Sequence, residues 1–146
     1  MTVLISRRKF AALAGAVFVT GCVQGKLVHT IEFEISRSAA PTLSDAIAAY
    51  AAANRFKLAG ASDETGQYWP IWTLTSDDID LQIAPRDETP ADTETAVEPD
   101  VLVYAARFYD HTPMGGAARL ADVVAAFTRM LAGIDGVRKI ENDQPS

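Results

Sequence analysis

The sequence predicts an α+β domain: an antiparallel sheet of four to five strands with two helices packed on one of its faces. Three observations lead there. Two segments, Leu27–Ser36 and Ile79–Ala84, alternate apolar and polar residues with a period of two, the mark of half-buried antiparallel strands. Two others, beginning near Leu43 and Leu120, carry apolar residues at helical spacing. Between the helices the strands follow one another through hairpin-type connections, and no strand–helix–strand repeat recurs.

Taken in order, Leu27, His29, Ile31, Phe33 and Ile35 share one face of the first strand, and Val28, Thr30, Glu32, Glu34 and Ser36 share the other. Pro41-Thr42-Leu43-Ser44-Asp45 opens the first helix. Thr42 is the expected N-cap, with Asp45 three residues later approximating a capping box. Leu43, Ile47, Tyr50, Asn54 and Leu58 continue at helical spacing, and Gly60 is the expected stop. Residues 61–67 read as a polar loop. Tyr68–Thr75 reads as a second strand, and Pro70, which cannot donate to a ladder, places it at an edge or gives it a bulged start. Ser76-Asp77-Asp78 is a turn that makes a hairpin with the third strand, where Ile79, Leu81 and Ile83 alternate with Asp80, Gln82 and Ala84.

Asp87 to Asp100 holds six acidic residues, two prolines and no basic residue, and is too polar to pack; it reads as a long loop. Val101–Asp110 is a fourth strand pairing back on the third. Gly115-Gly116 breaks the chain. From Ala117, a second helix presents Leu120, Val123, Val124, Phe127, Leu131 and Ile134 on one face, with Arg119, Asp122 and Arg129 largely off it, and stops at Gly133 or Gly136. Val137–Ile140 is the optional fifth strand, and the final residues read as loose. The ending Ile134-Asp135-Gly136-Val137-Arg138-Lys139-Ile140 resembles the close of ferredoxin-like domains. The order βαβββα(β) resembles that architecture over residues 27–141, with an extra strand; an architecture of this kind implies no function.

Ahead of the domain stands a basic block, Arg7-Arg8-Lys9, an apolar run of about ten residues and a small residue before a cysteine: the plan of an export signal. The run is shorter than the roughly 20 residues that span a bilayer. Val19-Thr20-Gly21-Cys22 resembles the lipobox of bacterial lipoproteins, with Val19 where that family prefers Leu. The resemblance implies cleavage between Gly21 and Cys22, a diacylglyceryl group on Cys22 and acylation of the new amino terminus. Residues 1–21 are then a removed signal, 22–26 a lipidated tether, 27–141 the domain and 142–146 a tail. Val23, rather than Asp, follows the cysteine, which in that family leans towards the outer membrane. Ser6-Arg7-Arg8-Lys9-Phe10 also resembles a twin-arginine signal, from which Ala11 and Ala12 depart. That route implies folding before export, and an ordinary signal with two arginines is the alternative. Cys22 is the only cysteine, so no intrachain disulfide forms.

Removing residues 1–21 takes away three basic residues and no acidic one, so the net charge moves from −6 to −9. So acidic a chain lacks the positive footprint of a nucleic-acid binder. It does not suit lying flat on anionic lipid either. The expected membrane attachment is through acyl chains on Cys22.

The residues that could carry chemistry are few. His29, on the apolar face of the first strand, reads as a core or sheet-end histidine. Asp110 and His111 could form an acid–base pair beside a Ser or Thr nucleophile, but neighbours on a strand point to opposite faces. Asp77, Asp78 and Asp80 could bind calcium, yet lack the glycine and distal glutamate of an EF-hand, and read as a solvated turn. Zinc spacing is missing, and Met114-Gly115-Gly116 lacks the Lys-Ser/Thr ending of a phosphate loop. No cofactor is expected. Tyr68, Trp69 and Trp72 could form a contact patch, with Trp69 and Trp72 on opposite faces, one of them core. Asp92, Glu94 and Glu98 are the other candidate contacts for a partner.

The reading is a lipid-anchored envelope protein, facing the periplasm, that binds an envelope partner or small ligand without catalysis. An inhibitor or immunity-type protein presenting its acidic loop to a basic enzyme is the first alternative. An envelope hydrolase using His111 is the second.

Overall fold

A computed structural model describes residues 25–62, 70–86 and 100–144. The alternating run after the tether forms β1 (Lys26–Ser36), with His29, Ile31, Phe33 and Ile35 buried and the residues between them half-buried. A single 3-10 turn (Arg37–Ala39) leads directly into α1 (Ala40–Ala53). The strands β2 (Lys57–Ser62), β3 (Ile71–Thr75), β4 (Ile79–Pro85) and β5 (Val101–Asp110) follow, then α2 (Leu120–Ala132) and β6 (Val137–Asp143). Among the described residues they make one six-stranded sheet in the order β2-β3-β4-β5-β1-β6, with every neighbouring pair antiparallel.

The α+β class is as expected, broadly ferredoxin-like in its layering, but the sheet has six strands rather than four to five. The extra one is β2, where the helix was expected to continue through Leu58 to a stop at Gly60. The helix ends sooner because its last turn closes on itself. Phe56 N–H reaches back to Ala51 O at 2.9 Å across Arg55, which sits in the left-handed region at φ 60°, while Asn54 N–H bonds Tyr50 O. This is the Schellman ending, with Arg55 where glycine is usual, and Phe56 stacking on Tyr50 supplies its apolar contact at 5.8 Å between ring centres. Gly60 instead lies at a register shift of β2 on β3, a common use of glycine in a strand.

Other boundaries moved for equally local reasons. Ala39, not Thr42, occupies the N-cap of α1 and makes no side-chain cap; the preceding 3-10 turn carries the chain in, and Pro41 sits in the first turn where its missing N–H costs nothing. Pro70 lies just before β3, which is paired on both sides, so the expected edge position passes to β2. α2 starts at Leu120 rather than Ala117. β6 runs to Asp143, so residues 141–143 belong to the sheet. As an edge strand β6 is charged at Arg138, Lys139, Glu141 and Asp143 and broken by a register shift, features that discourage pairing with another chain.

Both helices lie on the same face, because they touch each other as well as the sheet. Tyr50 donates its hydroxyl to Val123 O at 2.8 Å, and its ring meets Phe127 edge-on at 5.2 Å. Phe127 meets Phe108 of β5 the same way at 5.9 Å. Phe33, Leu81, Phe127 and Leu131 are buried, as the patterning predicts. Trp72 also belongs here: at 1% exposure, beside Tyr104, it is core and not part of a contact patch. Among the described residues no helix covers the other sheet face. Arg86–Glu32 and the pair Arg138 and Lys139 on Glu34 cross it at 3.1–3.3 Å, with cations exposed enough that each adds little stability.

Candidate functional site

Asp78, Asp80, Asp110, His111 and Arg119 gather at one end of the sheet. The registers Lys26↔Asp110 and Ile79↔Asp110 bring the start of β1, the β3–β4 turn and the end of β5 side by side there. The last turn of α1 and the loop before α2 complete this end.

Two carboxylates organise it, and each does so through burial offset by donors. Asp110 accepts from Thr112 N–H at 2.9 Å, from the Thr112 hydroxyl, and from Ala117 N–H at 2.8 Å. Burial pushes its carboxyl up, and these donors with Gly116 N–H outweigh that, holding it below the usual carboxylate range. Asp78 is likewise pushed up by burial and held low overall by the hydrogen bonds of Arg119 and Ser76 and by the Arg119 charge. Arg119 is therefore not an exposed residue off the helix face. It forks onto Asp78, donates Nη2 to Ser76 Oγ at 2.9 Å and Nη1 to Asn54 O, and lies 4.9 Å from the centre of the Phe56 ring. The same guanidinium tempers the burial that drives the Tyr50 hydroxyl upwards.

The aspartates of the turn thus do three different things. Asp77 is exposed, Asp78 holds Arg119, and Asp80, 3% exposed, lies 3.2 Å from His111 Nε2. A solvated turn does not describe them, and they do not converge on a common point. Among the described residues, no three His, Cys, Asp or Glu side chains group as metal ligands. His111 pairs with Asp80 of the next strand and not with Asp110, whose carboxylate turns into its own loop. A histidine that activates a serine or threonine nucleophile needs that hydroxyl within reach. Here the Thr112 hydroxyl goes to Asp110, and Ser76 Oγ donates to Ile79 O at 2.6 Å while accepting from Ile79 N–H and Arg119.

Shallow concavities lie nearby among the described residues. One of about 410 Å³ lies between Arg55, Phe56, Lys57 and the Thr75–Asp77 turn. A second, of about 520 Å³, runs between α2 and β6, with Leu120, Val124 and Thr128 along it and His29, Asn142 and Arg129 around it. His29 is the sheet-end histidine expected: buried, edge-on to Phe108, with Nε2 2.7 Å from Asn142 Oδ1.

The remaining candidates, Arg7, Arg8, Gly21, Cys22, Tyr68, Trp69, Asp92, Glu94 and Glu98, lie outside the described residues. Sequence reasoning missed Arg119 and its link to Asp78. A lone arginine between a glycine pair and an apolar helix is the available signal, and the sequence places it only largely off the apolar face of the helix. No helix among the described residues is long and apolar enough to cross a membrane. Compared with known protein families, with characterised proteins and with solved structures, the chain matches none of them.

Proposed function

We propose that this is a lipid-anchored protein of the bacterial envelope that acts by binding, held through acyl chains on Cys22 and facing the periplasm, with the outer membrane favoured by Val23. The observation that carries the reading is the polarity of the sheet. Gly25, three residues after Cys22, stands beside Asp110 at one end, whereas Arg86 and Asp100, which flank the acidic segment 87–99, stand at the other. There Arg86 N–H bonds Val103 O and Arg37 N–H bonds Asp100 O. A domain tethered at Cys22 therefore carries the roots of that segment on its far side, away from the leaflet. The hydroxyls of Ser76 and Thr112 near His111 are bonded elsewhere, which supports binding over a hydrolase with a Ser or Thr nucleophile.

The concentration of acidic residues in 87–99 favours, as a second reading, an inhibitor or immunity-type protein that meets a basic enzyme. Opposite charges would speed that encounter, and salt would weaken the gain beyond a Debye length of about 8 Å.

One experiment separates these readings: affinity capture with the acylated protein from its own membranes, with and without the acidic segment. β5 extends past the end of β4, so a two-residue turn cannot close the gap; a Gly/Ser linker of about six residues can. The expected result is a folded, shortened protein that loses the partner. A salt-sensitive basic partner selects the inhibitor reading. Cys22→Ser should leave unacylated protein, and an unmodified Cys22 in the mature native chain overturns the anchor.

A further inference from the structure

The strongest unexplained feature is the loop between β5 and α2. From Thr112 to Ala118 it reads Thr-Pro-Met-Gly-Gly-Ala-Ala, without a charge. Met114 is 93% exposed, far more than any other large apolar residue described. It sits in a turn closed by Gly115 N–H on Thr112 O at 3.0 Å, with Pro113 at the second position. Gly115 and Gly116 both have φ above 70°, and a Cβ on either would meet nothing within 4 Å. The loop projects, yet its base is fixed, since Asp110 holds Thr112 and Ala117 together. Little ordering would remain to be done on contact.

The tether arrives at the base of this loop. A Cβ on Gly25 would lie 2.5 Å from Asp110 O and 2.9 Å from His111 Cβ, and Gly25 has φ +104°. Only glycine lets the incoming chain pass this close. Cys22 is three residues before it, a reach of about 10 Å at most. Around the same end Lys26, Arg55 and Lys57 are exposed, as are Asp77 and, in the first turn of α2, Asp122.

We propose that the Thr112–Ala118 loop is a membrane-contacting element, seating Met114 at the headgroup–acyl boundary of the leaflet that holds Cys22. The inference rests on the lipoprotein reading and deepens it: the acyl chains hold the protein, and the loop orients it. A charge-free apolar projection beside a lipid anchor buries its surface in the interface, where an isolated exposed methionine in water gains nothing. The acidic segment is then directed outwards, where like-charged headgroups do not repel it.

The test uses the acylated protein reconstituted into vesicles of phosphatidylethanolamine and phosphatidylglycerol. With Cys22 acylated, Met114→Cys offers one thiol for an environment-sensitive fluorophore. Thr42→Cys, exposed at the other end of the domain, is the control. The expected result is a blue-shifted emission at position 114, quenched by nitroxide lipids, and unshifted, unquenched emission at position 42. A label at 114 that stays in water while the acylated protein is vesicle-bound overturns the inference and leaves the anchor standing. A mature amino terminus without acyl groups overturns the lipoprotein reading, and the inference with it.

Discussion

Arg119 donates Nε and Nη2 to the carboxylate of Asp78 at 3.1–3.2 Å, joining the start of α2 to the β3–β4 turn across 41 residues. The same side chain reaches Ser76 of that turn and Asn54 at the end of α1, so three chain segments meet on one guanidinium. Arg119→Ala should lower stability by about 2–3 kcal/mol, because it leaves a half-buried carboxylate without its charged donor. Arg119→Lys should recover little of this, since an ammonium cannot present the planar fork. Urea unfolding of the three proteins measures it; a lysine variant equal to wild type would show that charge alone suffices.

Asp110 sets a sign for the pH dependence. Its folded-state carboxyl is held low, so its contribution is present above the unfolded carboxylate value of about 4 and is lost as pH falls through the folded one. Asp78 acts in the same direction. Wild-type stability should therefore fall below about pH 4, and Asp110→Asn should be less stable at neutral pH but flatter in that acidic range. Unfolding midpoints measured across it decide the matter, and parallel profiles would remove Asp110 as the cause.

Phe127 joins both helices to the sheet through Tyr50 and Phe108. Phe127→Ala should cost about 3–5 kcal/mol, the range for emptying a fully buried aromatic site. A loss below about 1 kcal/mol would mean that α2 is not packed on the sheet as described.

Much of this architecture was legible because it rests on local repetition. The period of two in His29, Ile31, Phe33 and Ile35, and the helical spacing of Val123, Phe127 and Leu131, each require only that one face be apolar. The helix–strand border at Asn54–Lys57 was not legible. Leu58 happens to continue the phase of Leu43, Ile47 and Tyr50, and the left-handed residue that ends the helix is arginine, not glycine. At the charged end, Asp78, Asp80 and His111 looked like independent surface groups, because nothing in a linear pattern marks partners 31 or 41 residues apart.

The chain by itself thus determined the class of fold, the apolar faces of β1 and of the two helices, the β3–β4 hairpin and the acidic character of the segment after β4. Each follows from side-chain periodicity, turn chemistry or charge count, which act over a few residues. Only the tertiary structure decided that Lys57–Ser62 is a strand, that Trp72 is core and that Asp80 rather than Asp110 meets His111. It alone set the tether and the Met114 loop at one end and the roots of the acidic segment at the other. Those outcomes depend on which strand lies beside which. An edge strand needs the ladder of its neighbour, and a buried carboxylate needs donors that only the assembled sheet brings within 3 Å.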